Sequence, residues 1–504
     1  LAAAEQSYWQ FCPVGPTASV HGNSPYQAYS AFAGNPLLVS LDRLVEAGFL
    51  DASDVSDPPD FPTDEVAYDR VREYRTERLR RAAARFPEAA SEEERAAFEA
   101  FRERESSWLA DYALFAALKR AHDGAAWTDW PSDLAEREPA ALEAARENHA
   151  EVVEFHAFVQ WVFDEQWDRL REAADDRGIS LVGDLPLYVA ADSADVWAAP
   201  ETFQLDDGGE PAAVAGVPPN PGDDGQRWGN PVYDWDHLRE TGYEWWLDRV
   251  RRLLSRVDLA RIDHFKGFDE FWAIPADADA PAAGEWRAGP GADFFAAVAA
   301  DLSLDERDLP FVAEDLGFID EGVIELRERF DIPGMRVPQY ADWCDEQSRD
   351  KPVNYPPDSV GYTATHDTDT AVGYYRSLPP EQRDCLDYAL ATDGAEIHWD
   401  LIEAVWDSDA RLAMTTVPDL LGLGSEARFN TPGTATGNWN WRVSADALTD
   451  ELADEGRGRL VIHLFGRSDL LDLTVVEDHQ FVSQLQRLIL VVRDIEEGAV
   501  HLLV

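Results

Sequence analysis

Three short apolar segments in the second half of the chain each run into a carboxylate. They are DLARIDHFKGF (258–268), LPFVAEDLG (309–317) and VGYTATHDTD (360–369). Continuous apolar runs of this length are typical of strands that are buried on both faces. The pattern therefore predicts that three strands end at Asp263, Glu314 and Asp367.

Helical periodicity separates the predicted strands. Apolar residues recur at three- and four-residue steps over 149–175, and similar patterns predict helices at 243–257 and 320–330. An earlier apolar run, ISLVG at 179–183, predicts a strand that ends at Asp184. Strands that alternate with helices indicate parallel pairing through helical crossovers, in a sheet or a barrel that is buried on both faces.

A (β/α)8 barrel would bring the four acids together, because all its strands end at one rim and the active site is assembled there. Several carboxylates at one rim suit glycosyl transfer. One carboxylate attacks or stabilises an oxocarbenium-like centre, another protonates the leaving oxygen, and aromatic rings stack on sugars. The loop-like segment 21–48 offers Tyr26, Tyr29 and Phe32 for such stacking, although packing onto the protein body accounts equally well for Tyr29 and Phe32.

The charge changes how these acids are weighed. The 504 residues include 98 Asp and Glu against 43 basic residues, for a net charge of −55, and only Lys119, Lys266 and Lys351 are lysine. Such a surface repels nucleic acid and anionic membranes, and its dispersed acids predict a protein suited to high salt, where repulsion is screened. Because acids are so common, only joint patterns of carboxylates carry weight.

Cysteine usage and hydropathy bear on the compartment. Cys12, Cys344 and Cys385 are too few and too scattered for a disulfide framework or a zinc site, and this predicts three inert packing thiols in a reducing compartment. The apolar run at 488–492 is far too short to span a membrane, and the first ten residues show no basic region followed by an apolar core. We predict a soluble cytoplasmic protein.

Seven stretches occur in a specific order along the chain. They are SPYQAYSAFAGNPLL, GDLPLYVAADSADVW, GQRWGNPVYDW, ARIDHFKGF, VAEDLG, YTATHDTDT and RFNTPGTATGNWNWR. In this order they closely resemble the amylomaltases, the bacterial and archaeal 4-α-glucanotransferases, from about Tyr8 to Arg442. The resemblance implies a (β/α)8 barrel of the α-amylase type with inserted helical subdomains. It also implies transfer of α-1,4-glucan segments to glucose or another glucan by a retaining double displacement, without a cofactor or metal.

The same resemblance assigns roles. Asp263 resembles the nucleophile, Glu314 the general acid/base, and Asp367 the third carboxylate, which binds donor hydroxyls. Arg261 shares a strand face with Asp263 and would keep it ionised. The remaining implied substrate-binding residues are Ser24, Tyr26, Asp184, Gln226, Trp228, His264, His366 and Asn438.

Structural alternatives stay open for several of these residues. Arg261 could form an ordinary ion pair, the two histidines could be satisfied packing residues, and Asp184 could cap the turn of GDLP. Trp439 is as well explained by core packing as by a place beside the cleft.

The resemblance also predicts boundaries and departures. We expect a barrel start with a substrate loop over 1–50, a helical subdomain over 51–147, the main barrel over 148–467, and an extension of unknown role over 468–504. The family's first barrel strand has no counterpart here, which would leave an open barrel edge. The connection after GVPP reads NPGDD and lacks the family's aromatics, and Thr368 replaces the Asn of THDND, from which we expect only tuning of activity.

Three alternatives to a transferase remain at this stage. Net hydrolysis of the same bond is the nearest, because water and glucan compete for one glycosyl-enzyme. An acidic rim could instead hold Mg²⁺ or another hard cation. A non-catalytic glucan-binding relic would fit an incomplete barrel.

Overall fold

A computed structural model describes residues 1–2, 6–220, 223–434, 436–444, 447 and 490–494. Its strands form one closed barrel and one smaller sheet. The strands are β1 (Tyr8–Gln10), β2 (Ser180–Leu185), β3 (Ala213–Val217), β4 (Gln226–Pro231), β5 (Leu259–Ile262), β6 (Glu270–Pro275), β7 (Glu285–Ala288), β8 (Phe311–Ala313), β9 (Gly334–Arg336), β10 (Ser359–Tyr362), β11 (Leu412–Thr416) and β12 (Leu490–Asp494).

Helices surround the barrel and fill the segment between β1 and β2. They are α1 (Leu41–Glu46), α2 (Ala52–Val55), α3 (Tyr68–Ala89), α4 (Glu92–Arg104), α5 (Leu109–Ala121), α6 (Ser132–Ala135), α7 (Pro139–Asn148), α8 (Ala150–Asp175), α9 (Ala194–Ala198), α10 (Trp235–Glu240), α11 (Glu244–Leu254), α12 (Lys266–Asp269), α13 (Ala292–Leu302), α14 (Glu321–Arg329), α15 (Ala371–Ser377), α16 (Pro380–Leu390), α17 (Ile397–Trp406) and α18 (Val417–Leu420). None of the helices in the described ranges has the length and apolarity that crossing a membrane requires.

The barrel follows the strand order β1-β12-β11-β10-β9-β8-β5-β2. Seven of the eight barrel strands run in the same direction. The eighth, β12, pairs antiparallel with both β1 and β11. The predicted α/β barrel is confirmed. The open edge expected beside the first strand is not present among the described strands, because β12 pairs with β1 through Trp9 and Val491. The rest of the extension predicted over 468–504 lies outside the described residues.

A four-stranded antiparallel sheet, in the order β4-β3-β6-β7, stands beside the barrel rim. Its strands come from the segments that follow β2 and β5. Gly216 permits the closest approach within this sheet, since a Cβ there would lie 2.2 Å from the carbonyl oxygen of Gln226. The sheet carries Trp228 on β4 to the neighbourhood of the acids at the strand ends.

The longest helix, α8, fixes the loop that precedes the helical segment. Gln160 exchanges two hydrogen bonds with the backbone of Gly34, and Gln166 does the same with Ser40, at 2.7–3.1 Å. Paired bonds to a loop backbone replace those that a neighbouring strand would supply. Asp164 on the same helix binds both terminal nitrogens of Arg252 at 2.6–2.7 Å, which joins α8 to α11.

The prediction that all three cysteines are unpaired thiols is wrong for two of them. Cys344 and Cys385 form a disulfide, with their Cα atoms 5.3 Å apart. The loop after β9 lies against α16, so the fold brings together residues that are 41 positions apart. Cys12 is a free, buried thiol as expected, and burial raises its pKa.

The strand boundaries agree with prediction for two of the acids and differ for the third. β5 ends one residue before Asp263 and β8 one residue before Glu314. β10 ends at Tyr362, so Asp367 lies five positions further on, in a buried loop and not at a strand end. Hydrogen bonds to side chains, described below, replace the strand ladder in this loop.

Candidate active site

Arg261 lies at the centre of the acidic rim. It points from β5 toward Asp263, whose Oδ1 is 3.0 Å away, and its Nη1 donates to both carboxylate oxygens of Asp184 at 2.8 Å. Burial disfavours the guanidinium charge, but the carboxylates of Asp184 and Asp263 outweigh this and raise the pKa of Arg261. A permanent positive charge therefore holds two carboxylates in place. The carboxylate oxygens of Asp184 accept hydrogen bonds from both Arg261 and Tyr26.

Tyr26 lies on the loop between β1 and α1. Its hydroxyl donates to Asp184 Oδ2 at 2.7 Å, and burial, with the charge of Asp184, raises its pKa and keeps it protonated. The Tyr26 ring stacks on His366, with ring centres 4.8 Å apart, and lies 5.7 Å from the ring of Trp439. Ser24 accepts the backbone N–H of Tyr26 at 3.3 Å, so its hydroxyl fixes the loop.

Glu314 follows β8 and is partly exposed. Its Oε2 accepts the N–H of His264 at 2.8 Å, and its Oε1 accepts the N–H of Leu316 at 3.2 Å. Burial raises the pKa of Glu314 to about 8, with a further rise from Asp263 that Arg261 and the two backbone donors oppose. Glu314 is therefore a carboxylic acid that holds its proton at neutral pH.

His264 adopts a left-handed backbone conformation, with φ of 50°, and this conformation turns its N–H toward Glu314. A non-glycine residue in this region of φ is uncommon and is often found at functional sites. Burial lowers the pKa of His264 to about 4, so the ring is neutral. Its buried Nε2 has no hydrogen-bond partner within the part of the chain that the structure describes.

Trp228 meets His264 edge to face, with ring centres 5.0 Å apart. Its indole N–H donates to Gln226 Oε1 at 2.9 Å, so the side chain of Gln226 orients the Trp228 ring. Both side chains are half-buried on β4.

Asp367 is fixed by the adjacent His366 and by two residues of the segment after α18. His366 Nε2 lies 3.0 Å from Oδ2, Asn430 donates to Oδ1 at 2.6 Å, and Arg428 donates to the backbone carbonyl at 2.7 Å. Burial opposes its charge, but His366 and Asn430 outweigh burial and lower the pKa of Asp367. The same partnership raises the pKa of His366 against the effect of its own burial.

The buried carboxylate of Asp419 supports the loop that carries Asp367. It accepts the hydroxyl of Thr363 at 2.6 Å and the N–H of Ala371 at 2.7 Å, one at each end of the loop. Thr368 closes a tight turn inside the loop, because its hydroxyl accepts the N–H of Thr365 at 2.8 Å. Thr368 therefore has a local structural part in this chain.

Sequence reasoning missed Asn430, Arg428 and Asp419. Asn430 and Arg428 lie in RFNTPG, a stretch that had been noted for its resemblance but not for these two residues. Asn438, which the resemblance predicts to bind substrate, uses its side-chain amide within its own loop. Its oxygen accepts the N–H of Thr431 at 3.0 Å, and its nitrogen donates to the carbonyl of Thr434 at 2.9 Å. Trp439 is buried against Tyr26 and His366.

The described residues contain no group of three or more His, Cys, Asp and Glu that could hold a metal ion. The positive charge among the acids of the rim is that of Arg261. An aspartate at the end of β5, a protonated glutamic acid at the end of β8 and nearby aromatic rings make up an arrangement suited to an enzyme that cleaves and forms glycosidic bonds.

Comparisons with known proteins agree with this class. The sequence profile described as 4-alpha-glucanotransferase matches residues 1–449, and the chain belongs to that family. It is 45% identical over 474 residues to a 4-alpha-glucanotransferase of Synechocystis, covering 93% of this chain and 92% of the relative. The Thermus thermophilus 4-alpha-glucanotransferase is also 45% identical, with 91% of each chain covered.

A solved structure extends the comparison to the fold. The amylomaltase of Streptococcus agalactiae, determined in complex with acarbose, matches with a TM-score of 0.84 and 35% identity, covering 89% of this chain and 90% of that one. The family, the barrel and the 4-alpha-glucanotransferase activity predicted from the sequence are confirmed.

Proposed function

We propose that this chain transfers α-1,4-glucan segments by a retaining double displacement in which Asp263 is the nucleophile, Glu314 the acid/base and Asp367 the third carboxylate. One observation carries the proposal. Asp263 is held beside a permanent guanidinium charge, whereas Glu314 keeps its proton at neutral pH. A carboxyl group held beside a fixed cation and a second acid that holds its proton suit this mechanism.

In the first step, Glu314 gives its proton to the glycosidic oxygen as the bond between that oxygen and the anomeric carbon breaks. Asp263 attacks the same carbon from the other face and forms a glycosyl ester, and the shortened glucan leaves with a new 4-hydroxyl. Arg261 holds the Asp263 side chain in place for the attack.

In the second step, Glu314 is a carboxylate and takes the proton of an acceptor's 4-hydroxyl. The acceptor oxygen bonds to the anomeric carbon, and the ester bond to Asp263 breaks. Two inversions give net retention of the α configuration. The raised pKa of Glu314 suits both steps, since a group with a pKa near the operating pH can give and regain a proton.

Binding of the donor sugar is assigned to the residues around Asp367 and Tyr26. Asp367 and the adjoining His366 offer hydrogen-bonding groups to the sugar hydroxyls, and Asn430 keeps Asp367 in place. The free Nε2 of neutral His264 is available to a sugar hydroxyl on the nucleophile's side. Trp228 is assigned to the acceptor sugar. The amylomaltase of Streptococcus agalactiae, determined in complex with acarbose, supports a carbohydrate ligand for this chain.

Incubation with maltotriose tests the proposed reaction against hydrolysis. We expect maltotetraose, maltopentaose and longer products to appear with glucose, while the total number of reducing ends stays constant, because each transfer breaks one glycosidic bond and forms another. A reducing-sugar assay and chromatography of the products measure both quantities. A rise in reducing ends without longer oligosaccharides would identify a hydrolase.

We also propose that the acidic surface adapts the protein to high salt. All three lysines are buried, each about 6–7% exposed, so arginine supplies the exposed side-chain positive charge within the described residues, whose surface is otherwise rich in carboxylates. At 1 M salt, charges farther apart than about 3 Å are screened, compared with about 10 Å at 0.1 M. Repulsion among the acids therefore weakens as salt is added.

The expected result is a melting temperature that rises by several degrees between 0.1 and 2 M NaCl, with transfer activity that rises in parallel. Sucrose at matched osmolality controls for general solute exclusion, which stabilises proteins without screening charge. A melting temperature that falls with NaCl would contradict the adaptation.

The domain boundaries at 50, 147 and 467 remain proposals, as does location in the cytoplasm. The helices α3 to α6 lie within the segment proposed as a helical subdomain, and α7 ends one residue past it at Asn148, which supports a boundary there. The disulfide between Cys344 and Cys385 removes part of the support for a reducing compartment, where disulfides are rare.

A further inference from the structure

An exposed aromatic residue lies on the same loop as the acid/base. Phe318 is 74% exposed, which is unusual for a large apolar side chain, and it follows Glu314 by four positions. Four residues of extended chain span at most about 14 Å. The ring therefore lies on the rim where the strands end, within a few sugar rings of the residue that must meet the acceptor hydroxyl.

The loop directs Phe318 outward. Leu316 turns inward, where it packs against the barrel core, and its N–H is bound to Glu314. Gly317 then takes a left-handed conformation, with φ of 78°, which reverses the direction of the chain. The loop is fixed at both ends, so the Phe318 ring is held in a defined place on the surface.

Asp320 fixes the far end of the loop. One of its oxygens accepts the N–H of Val323 at 3.2 Å and caps α14, and the other binds the ammonium of Lys266. Lys266 is buried, also pairs with Glu270 at 2.8 Å, and follows His264 by two positions. The Phe318 loop is thus tied to the same turn that carries Asp263 and His264.

The exposed ring of Trp286 contacts the ammonium of Lys266. The Lys266 Nζ lies 4.6 Å from the ring centre of Trp286 on β7, and Trp286 is 38% exposed. Lys266 therefore joins the barrel loop to the accessory sheet. Phe318 and Trp286 are both exposed: Phe318 lies on the loop that Asp320 ties to Lys266, and Trp286 covers the same ammonium.

We propose that Phe318, together with Trp286 on the accessory sheet, forms a remote acceptor-side contact for α-1,4-glucan chains of several units. The inference rests on the proposed transferase function. The apolar faces of sugar rings stack on aromatic side chains, and burial of an exposed ring is favourable in proportion to the apolar area that water loses. A single glucose acceptor ends before Phe318, so the contact discriminates by acceptor length.

Acceptor kinetics of Phe318→Ala test the proposal. With a saturating donor and isotope-labelled acceptors, we expect the KM for maltopentaose to rise about fivefold, in keeping with loss of one buried aromatic contact. The KM for glucose and the kcat with either acceptor should change less than about twofold on the same scale. Phe318→Tyr, which keeps the ring, should restore the maltopentaose KM.

Tyr388→Ala is the matched control, because Tyr388 is an 89% exposed aromatic on α16 and has no place in the site. Equal KM values for wild type and Phe318→Ala with maltopentaose would overturn the proposal, as would equal losses with both acceptors, which would indicate an effect through Glu314. If the wild-type protein transferred to neither acceptor, the proposed function itself would fail, and that result is distinct from a null effect of the variant.

Discussion

Replacing Asp263 with Asn is expected to lower transfer from maltotriose by about 10⁴-fold or more, the scale on which loss of a catalytic nucleophile is felt. The amide cannot form the glycosyl ester. Because Asn has nearly the same shape as Asp and its oxygen remains within reach of Arg261, the fold and glucan affinity should persist. Initial rates of maltotriose disproportionation, with a melting curve of each protein, measure both effects.

Asp305→Asn is the matched control, since Asp305 is exposed on the loop after α13 and the substitution removes the same charge from the surface. This control variant should retain wild-type activity. If Asp263→Asn kept more than a small fraction of the wild-type rate while binding glucan normally, another carboxylate would have to be the nucleophile. Asp367 would then be the next candidate, because His366 and Asn430 lower its pKa despite its burial.

How far the sequence predicted this site depends on where each residue lies in the chain. Asp263 and Glu314 directly follow short apolar runs, so the pattern that identifies the strand also places the acid at its end. Arg261 lies beside Asp263 because residues two apart on a strand share a face. Local rules suffice for these three residues, and the structure agrees with them.

Asp367 shows where local rules fail. The segment TATH is as apolar as a strand end, but it leaves the barrel ladder after Tyr362 and is held by Asp419 and by its own threonine hydroxyls. A buried loop that is held by side chains resembles a strand in sequence. Asp419, which holds the two ends of this loop, is more than 40 positions away from both, and no periodicity in a single sequence reveals such a contact.

Long-range partners account for the other differences. Asn430 reaches Asp367 across 63 positions, and Cys344 meets Cys385 across 41. Neither pair follows from spacing, because each depends on how the loops after β9, β10 and β11 fold over one another. The resemblance to the family identified the stretch that contains Asn430 but not the contact that it makes.

The electrostatics of Glu314 connect catalysis to stability. Its pKa rises from the ordinary carboxyl range to about 8, so the folded protein binds this proton more tightly than the unfolded chain does. Folding is therefore favoured fully below the ordinary pKa of a glutamate, and this contribution is lost as the pH rises toward 8. Above that pH, the protein carries an ionised Glu314 close to Asp263.

Replacing Glu314 with Gln is the second substitution for which we expect a large effect. Transfer from maltotriose should fall by about 10²–10⁴-fold, the usual contribution of general acid–base catalysis. A donor with a good leaving group, such as α-maltosyl fluoride, needs no proton and should still form the ester with Asp263. Because the second step lacks its base, the glycosyl-enzyme should accumulate and be detectable as a mass increase in the intact protein.

The pH dependence separates this role from a structural one. Wild-type transfer from maltotriose should decline as the pH rises through about 8, where Glu314 loses its proton. The difference in melting temperature between Glu314→Gln and the wild type should shift in favour of the variant as the pH is raised from 5 to 9, because the amide has no proton to lose. Glu306→Gln, at an exposed position, should track the wild type throughout. Equal loss of activity on maltotriose and on the fluoride would remove the acid/base assignment, since only a leaving group that needs a proton depends on Glu314.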